Sequence, residues 1–204
     1  MANRNQNDPP AFRTIKSLKS KLVGGGARPN LFEVVLNFPQ NELTRPDGIQ
    51  SVLDDSRILV KAAALPSSTI APIELPFRGR MLKIAGDRTF ETWTITVMND
   101  TTFKIRNAFE YWMNAINKMD DGTGLTDPTQ YQANAVVHQL DRDAKVLRSY
   151  EFWDIFPTNI STIDLNYETT DTIEEFTVEM QVHYWTAFQG TERLIPSDPY
   201  QGPF

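Results

Sequence analysis

The strict alternation of apolar and polar residues near the end of the chain most constrains its fold. The apolar positions are Phe176, Val178, Met180, Val182 and Tyr184, and the residues between them are Thr177, Glu179, Gln181 and His183. Successive side chains of a β-strand point to opposite faces, so this period of two predicts a half-buried strand within 174–185.

A second strand with the same alternation is predicted at 90–98. Trp93, Ile95 and Val97 point to one face, and threonines at 92, 94 and 96 point to the other. Further strands are expected at 31–38, 57–63, 73–77, 80–85, 131–140 and 146–155, with a turn at 156–159 and a last hairpin between 161–167 and 174–185.

One segment has a helical period instead. Ile105, Phe109, Trp112, Ile116 and Met119 recur at spacings of three and four, which is one face of an α-helix that Asp100, Thr101 or Thr102 can cap. The sequence therefore predicts a mainly β fold, an antiparallel two-sheet β-sandwich or barrel with one flanking α-helix.

The core is predicted where this helix meets the strand at 90–98. Its expected members are Trp93, Ile95, Val97, Phe109, Trp112 and Ile116. Phe103 and Tyr111 fall on the opposite, polar face of the helix, and we expect them to contact other subunits.

The chain divides into a β domain at 28–185 and two arms. Residues 1–27 form a basic N-terminal arm that ends in a glycine hinge at 24–26, and 186–204 form a Pro-rich C-terminal extension. Within the domain, 39–56 is predicted to be a long turn-rich loop that orders against a neighbouring molecule. Its apolar contact candidates are Leu43, Ile49, Val52 and Leu53.

Charge is distributed unevenly along the chain. The net charge is −6, but residues 1–28 carry six cations and one carboxylate, which leaves 14 basic and 25 acidic residues and a charge of −11 on the remainder. An acidic body is a poor nucleic-acid clamp, because tight binding needs cations to displace phosphate counterions.

The residues indicate neither an enzyme nor a metal or cofactor site. There are no cysteines and only two histidines, His138 and His183, without metal-ligand spacing, and no GxSxG nucleophile turn occurs. No apolar run approaches the roughly 20 residues of a membrane helix. With its polar start, the chain is expected to be a soluble protein without a signal peptide, folding in a reducing cytoplasm.

Several segments, in this order, resemble the major tail tube proteins of contractile-tailed bacteriophages. They are Arg28-Pro29-Asn30-Leu31-Phe32, Ala64-Leu65-Pro66, AGDRTFETWTITVMND at 85–100, Phe156-Pro157-Thr158-Asn159 and the strand ending in Tyr184-Trp185. The 85–100 block is long and mixed in residue type, which makes it the most specific of these signals. The resemblance covers about 28–185.

This resemblance implies a structural subunit of a phage tail tube. Six subunits would join their strands into one barrel around a channel, and the rings would stack into a tube that conducts DNA to the host without binding it specifically. The implied partners are copies of the chain, the tail sheath protein, and the baseplate tube-initiator and tail terminator proteins. The implied location is the virion tail, assembled in the host cytoplasm, with no membrane partner.

Two expectations about the channel follow from this implied tube. It should present acidic or neutral polar groups to DNA, and Thr177, Glu179, Gln181 and His183 are the candidate lining residues. Alternative functions are the baseplate tube-initiator, the tube protein of a related contractile injection or secretion machine and, more distantly, a monomeric ligand-binding β-sandwich.

Overall fold

A computed structural model describes residues 15–22, 25–39, 44, 49–189 and 192–193 of the chain. Within these residues the helices are α1 (Ile15–Lys21), α2 (Ile49–Leu59), α3 (Lys104–Ile116) and α4 (Pro128–Tyr131). The strands are β1 (Phe32–Leu36), β2 (Val60–Ala63), β3 (Ser68–Phe77), β4 (Arg80–Phe90), β5 (Trp93–Met98), β6 (Ala133–Leu140), β7 (Val146–Ile160), β8 (Glu175–Gln181), β9 (Tyr184–Gln189) and β10 (Glu192–Arg193).

The fold is mainly β, as predicted, and its strands pair antiparallel in the order β1-β6-β7-β8-β5-β2. The long strand β7 connects two halves of this sheet. Its residues 149–153 pair with β9, and its residues 156–160 pair with β8. Among the described residues β1 pairs only with β6 and β2 only with β5, so the subunit does not close into a barrel.

The core lies between the two halves of the sheet. Trp93 of β5 stacks on Phe152 of β7 with ring centroids 4.1 Å apart, although β8 separates their strands in the sheet. Both side chains are almost completely buried. The halves therefore face each other here, and β5 has the predicted alternation, with Trp93, Ile95 and Val97 inside.

Helix α3 completes the core with its apolar face. Phe109 and Trp112 are buried against Phe38, and the Trp112 indole N–H donates to the Tyr131 carbonyl at 2.6 Å. Ile116 is partly buried against the same cluster. The helix ends at Ile116, so Met119, which the periodicity placed on the buried face, lies beyond it and is exposed.

The largest departure from the sequence-based expectation is α2. Residues 49–56 were expected in a loop and 57–63 in a strand, but Ile49–Leu59 is helical and only Val60–Ala63 is extended. Val52 and Ser56 are buried one helical turn apart. The polar Ser56 interrupts the apolar pattern of this face, which is why the periodicity was not evident.

Several boundaries near the end of the chain also differ. The predicted turn at 156–159 lies inside β7, where Pro157 is accommodated at a register shift against β8, and 161–167 forms no strand. Strand β8 ends at Gln181, and β9 continues past residue 185, where the C-terminal extension was expected to begin. Residues 194–204 lie outside the described residues.

Candidate assembly surfaces

The hairpin of β3 and β4 projects from the body of the protein. Within the described residues these two strands pair only with each other and form a separate two-stranded sheet. Almost every residue along both strands is exposed. A lone two-stranded hairpin is at best marginally stable in water, so this one is suited to ordering against a partner.

One face of the hairpin is apolar along its outer half. Directly paired residues share a face, and here the pairs are Ile73 with Ile84, Leu75 with Leu82, and Phe77 with Arg80. Phe77 is 66% exposed and Leu82 is 56% exposed. An unpartnered apolar row of this length is typical of a protein–protein contact surface.

The tip of the hairpin is basic and tightly turned. Arg78 and Gly79 form the two-residue loop, both with positive φ, as a type I′ hairpin turn requires. The Arg78 guanidinium lies 5.4 Å from the Phe77 ring centroid. On the opposite face Lys83 forms a 3.0 Å ion pair with Glu74.

Backbone contact at the base of the hairpin explains one glycine of the 85–100 block. Gly86 lies at the register shift between β3 and β4. A Cβ atom there would meet the Ala71 carbonyl oxygen at 2.5 Å. Only glycine allows this close backbone approach, so Gly86 contributes to the direction in which the hairpin leaves the body.

A second surface is the polar outer face of β5, β7 and β8. Register pairs Thr177 with Thr96 and Glu179 with Thr94, and Asn159 of β7 lies on the other side of Glu179. Two of the candidate lining residues, Thr177 and Glu179, are thus joined by polar residues from two other strands. Gln181 lies at the exposed end of β8. His183 was predicted within this strand, but it lies beyond the end of β8 in an exposed bend.

The loop between β7 and β8 forms a third surface, which no sequence motif indicated. Residues 161–174 contain Asp164, Glu168, Asp171 and Glu174 and no Lys or Arg. Leu165 and Tyr167 are 82% and 106% exposed. The loop is held at its ends, because the Ser161 carbonyl accepts from Arg106 and the Glu174 carbonyl accepts from the Asn99 N–H at 2.8 Å.

The other residues that the sequence predicted as contacts do not form one common surface. Tyr111 is 56% exposed on α3, whereas Phe103, predicted on the same helix face, precedes the helix as its N-cap residue and is 40% exposed. Val52, by contrast, is buried in the core of its own subunit and is not available to a neighbour. Leu43 lies outside the described residues, as do the side chains of Ile49 and Leu53.

Three titrating groups are perturbed by their surroundings, and for one of them, Asp121, hydrogen bonds from the Thr123 hydroxyl and backbone N–H lower the pKa. Burial lowers the pKa of His138, whose Nδ1 lies 2.7 Å from the Ser149 hydroxyl, although the nearby Glu33 carboxylate acts in the opposite direction. Partial burial acts to raise the pKa of Asp100, but hydrogen bonds from Thr102 and from the backbone N–H of Lys104 lower it overall. The second of these bonds satisfies the first backbone N–H of α3, but the residue at the N-cap position is Phe103, which was not among the predicted caps.

Neither a metal centre nor a membrane span is found in the part of the chain that the structure describes. No three histidine or acidic side chains there are grouped so that they could hold a metal ion. The helices among these residues are too short or too polar to cross a bilayer.

Comparison with known proteins agrees with these features. The family model described as phage tail tube protein matches residues 27–187. The chain is 34% identical over 164 residues to tail tube protein gp19 of Enterobacteria phage T4, covering 79% of this chain and 92% of that protein. It is 25% identical over 173 residues to the tail tube protein of Serratia phage KSP90, covering 82% and 93%.

Two solved assemblies contain chains of the same fold. A chain of the anti-feeding prophage baseplate superposes with a TM-score of 0.59 at 14% identity, covering 80% of this chain and 96% of that one. A chain of the PVC sheath–tube complex, an extracellular contractile injection system, gives 0.53 at 13% identity, covering 84% and 97%.

A β body that exposes an apolar row on a separate hairpin is typical of the class of proteins that associate through their surfaces. Within that class, the chain belongs to the phage tail tube protein family. This confirms the resemblance found in the sequence. It also confirms that the family is one of structural proteins and not of enzymes, and phage tail tube proteins are part of the virion tail.

Proposed function

We propose that this protein forms hexameric rings that stack into the hollow tube of a contractile phage tail, through which DNA passes to the host. The observation that carries the proposal is the free-standing apolar hairpin, which has no partner within the described part of its own subunit. A second copy supplies the missing partner, because family members build their tube from many copies of one chain.

Two open sheet edges support the ring. Strand β2 pairs only with β5, and residues 156–160 of β7 pair only with β8 among the described residues. Exposed edges invite pairing with another chain, and joining neighbouring subunits at these edges removes them. In this arrangement the two facing halves of each subunit form a two-sheet sandwich, and the β5–β8 half contributes to one barrel shared by six subunits.

The polar outer face of that half is suited to line the channel. Thr94, Thr96, Asn159, Thr177 and Glu179 include no cation. A neutral or acidic lining keeps phosphate contacts weak, so DNA slides through with its counterions instead of being held. Six copies of a body with a charge of −11 give the ring a strongly acidic character, whereas a basic lining would stall the passing polymer.

The outer side of α3, with Phe103 and Tyr111, faces other subunits or the sheath in this assembly. Baseplate and terminator proteins then meet the tube at its two ends, and subunits are assembled in the host cytoplasm.

The experiment that tests the proposal is electron microscopy of the purified full-length chain, with a variant in which 70–88 is replaced by a short Gly-Ser linker. We expect six-fold rings and stacked tubes from the unaltered protein, and rings without tubes from the variant. A protein that stays monomeric at all concentrations, also with a baseplate extract as a nucleus, would refute the proposal.

The channel is tested separately by Glu179→Lys, with Asp143→Lys in the exposed β6–β7 turn as the matched control. We expect both variants to form normal tubes and only Glu179→Lys particles to deliver DNA poorly. A reconstruction that shows lysine or arginine side chains lining the channel would contradict this account of DNA passage.

A further inference from the structure

The β3–β4 hairpin and the acidic 161–174 loop leave the body at opposite ends of strand β5. The hairpin joins the body just before Trp93, where the indole N–H of that residue donates to the Ala64 carbonyl. The loop is fixed just after Met98, where the Asn99 backbone N–H donates to the Glu174 carbonyl and the Asn99 side-chain amide donates to the Glu174 carboxylate. Six residues of extended strand, about 20 Å, separate the two attachment points.

The two elements carry opposite charge and similar apolar groups. The hairpin tip presents Arg78 and Arg80, neither of which forms an ion pair with a described residue, beside the exposed Phe77 ring. The loop presents four carboxylates around exposed apolar side chains at 165, 167 and 173, with no cation of its own. The cations of the hairpin tip and the carboxylates of the loop are therefore complementary in charge.

The hairpin is better suited to dock through its face and tip than through its β3 edge. Pro72 and Pro76 lie in β3, and neither can donate a backbone hydrogen bond to an added strand. Strand addition along that edge is therefore interrupted at two positions. The apolar face and the cationic tip remain as the groups that a partner can recognise.

Since the two attachment points lie about 20 Å apart at opposite ends of β5, contact between a tip and a loop is expected between subunits rather than within one. Repeated contact between one end of a subunit and the other end of the next is heterologous, and it produces an open, linear array when the repeat does not close into a ring. From this geometry, and resting on the proposed function, we infer that the 161–174 loop is the docking site for the hairpin tip of a second copy of this chain in the adjacent ring.

Charge reversal on each side of this contact provides the test. The tip variant is Arg78→Glu with Arg80→Glu. The loop variant is Asp164→Lys and Glu168→Lys with Asp171→Asn, since Asp171 has a φ of 60° and asparagine tolerates that conformation. The control, Asp54→Lys with Asp143→Lys, reverses two exposed carboxylates that belong to neither element.

Each variant is prepared as full-length rings, and tubes are measured by sedimentation and microscopy. We expect either the tip or the loop variant alone to lower the amount of sedimentable tube by about tenfold or more, because like charges then face each other. The control should stack like the unaltered protein. Mixing preformed tip-variant and loop-variant rings should restore tubes, because each tip then meets a loop of opposite charge.

Two results would overturn the inference while leaving the proposed tube intact. One is normal stacking of loop-variant rings, and the other is no recovery on mixing. If loop-variant rings stack normally but no longer bind the sheath protein, the loop belongs to a contact with that partner instead. Failure of the unaltered chain to form rings or tubes would instead refute the proposed function itself.

Discussion

Helix α3 and the β3–β4 hairpin use the same kinds of residue in opposite ways. Phe109 and Trp112 of α3 are at most 1% exposed, whereas Phe77 and Leu82 of the hairpin are more than half exposed. Both elements have a continuous apolar face. The difference is that α3 meets α2, α4 and β7 within the subunit, while the strands of the hairpin pair only with each other among the described residues. Apolar residues therefore stabilise the subunit in one region and are left for association in the other.

The largest effect on subunit stability is expected in α3. Trp112→Ala should lower the free energy of unfolding by about 3–5 kcal/mol, because it leaves a cavity beside Phe38 and Phe109 and removes the bond to the Tyr131 carbonyl. Chemical denaturation measures this change. The neighbouring Tyr111→Ala is the control, and it should cost less than about 0.5 kcal/mol because the ring is exposed. An equal loss of unfolding free energy in Trp112→Ala and Tyr111→Ala would contradict the division of α3 into a buried and an exposed face.

A smaller effect is expected at the base of the hairpin. Gly86→Ala forces a backbone shift against Ala71, but the hairpin can open locally, so the global free energy of unfolding should fall by no more than about 1 kcal/mol. Hydrogen exchange should show faster exchange confined to β3 and β4. Spread of the faster exchange into β5 and β8 would show that the hairpin is energetically part of the body.

A still smaller effect concerns His138 and pH. Its folded-state pKa lies below the ordinary value of 6.5, so the unfolded chain binds the proton more readily. The stabilisation from the neutral ring is present above 6.5 and is lost as pH falls from 6.5 through the lowered value. Because His138 is partly exposed, the loss should be under about 1 kcal/mol.

Denaturation at several pH values checks this linkage. His138→Gln should remove the acid-side loss between pH 6.5 and 5, whereas His183→Gln, in the exposed bend after β8, should leave it in place. If His138→Gln shows the same acid-side loss as the unaltered protein, another group is responsible.

The smallest effect on stability should accompany a large effect on assembly. Leu82→Ser on the apolar face of the hairpin should change the free energy of unfolding by less than about 0.5 kcal/mol and should strongly reduce tube formation. Lys83→Ser, on the opposite face, is the matched control and should form tubes more readily than Leu82→Ser. Strong destabilisation of the isolated subunit by Leu82→Ser would place this side chain in the core instead.

Local pattern was sufficient to predict β5, β8 and α3. In each, the side-chain period matches the burial, so Trp93, Ile95, Val97, Phe109 and Trp112 could be assigned to the interior before any contact was known. The turn at Arg78-Gly79 was also evident from the sequence. The 85–100 block was specific enough to indicate the family that the comparisons then established.

Other features could not be obtained from local pattern. The buried Ser56 interrupts the apolar face of α2. Pro157 led to a predicted turn at 156–159, but a register shift accommodates this proline inside β7. Alternation shows that a residue faces one side of a strand but not what covers that side. Thus Val52 was expected at an interface and lies in the core.

The sequence by itself determined the β class, the main helix, the acidic body and the tail tube family, because these depend on period, composition and residue identity along the chain. Only the tertiary structure decided that the pairs Ile73 with Ile84 and Leu75 with Leu82 are exposed on a separate hairpin. It also decided that this hairpin and the 161–174 loop lie at opposite ends of β5. The reason is physical: an apolar residue is buried only where another element reaches it, and which elements reach which faces is set by long-range pairing.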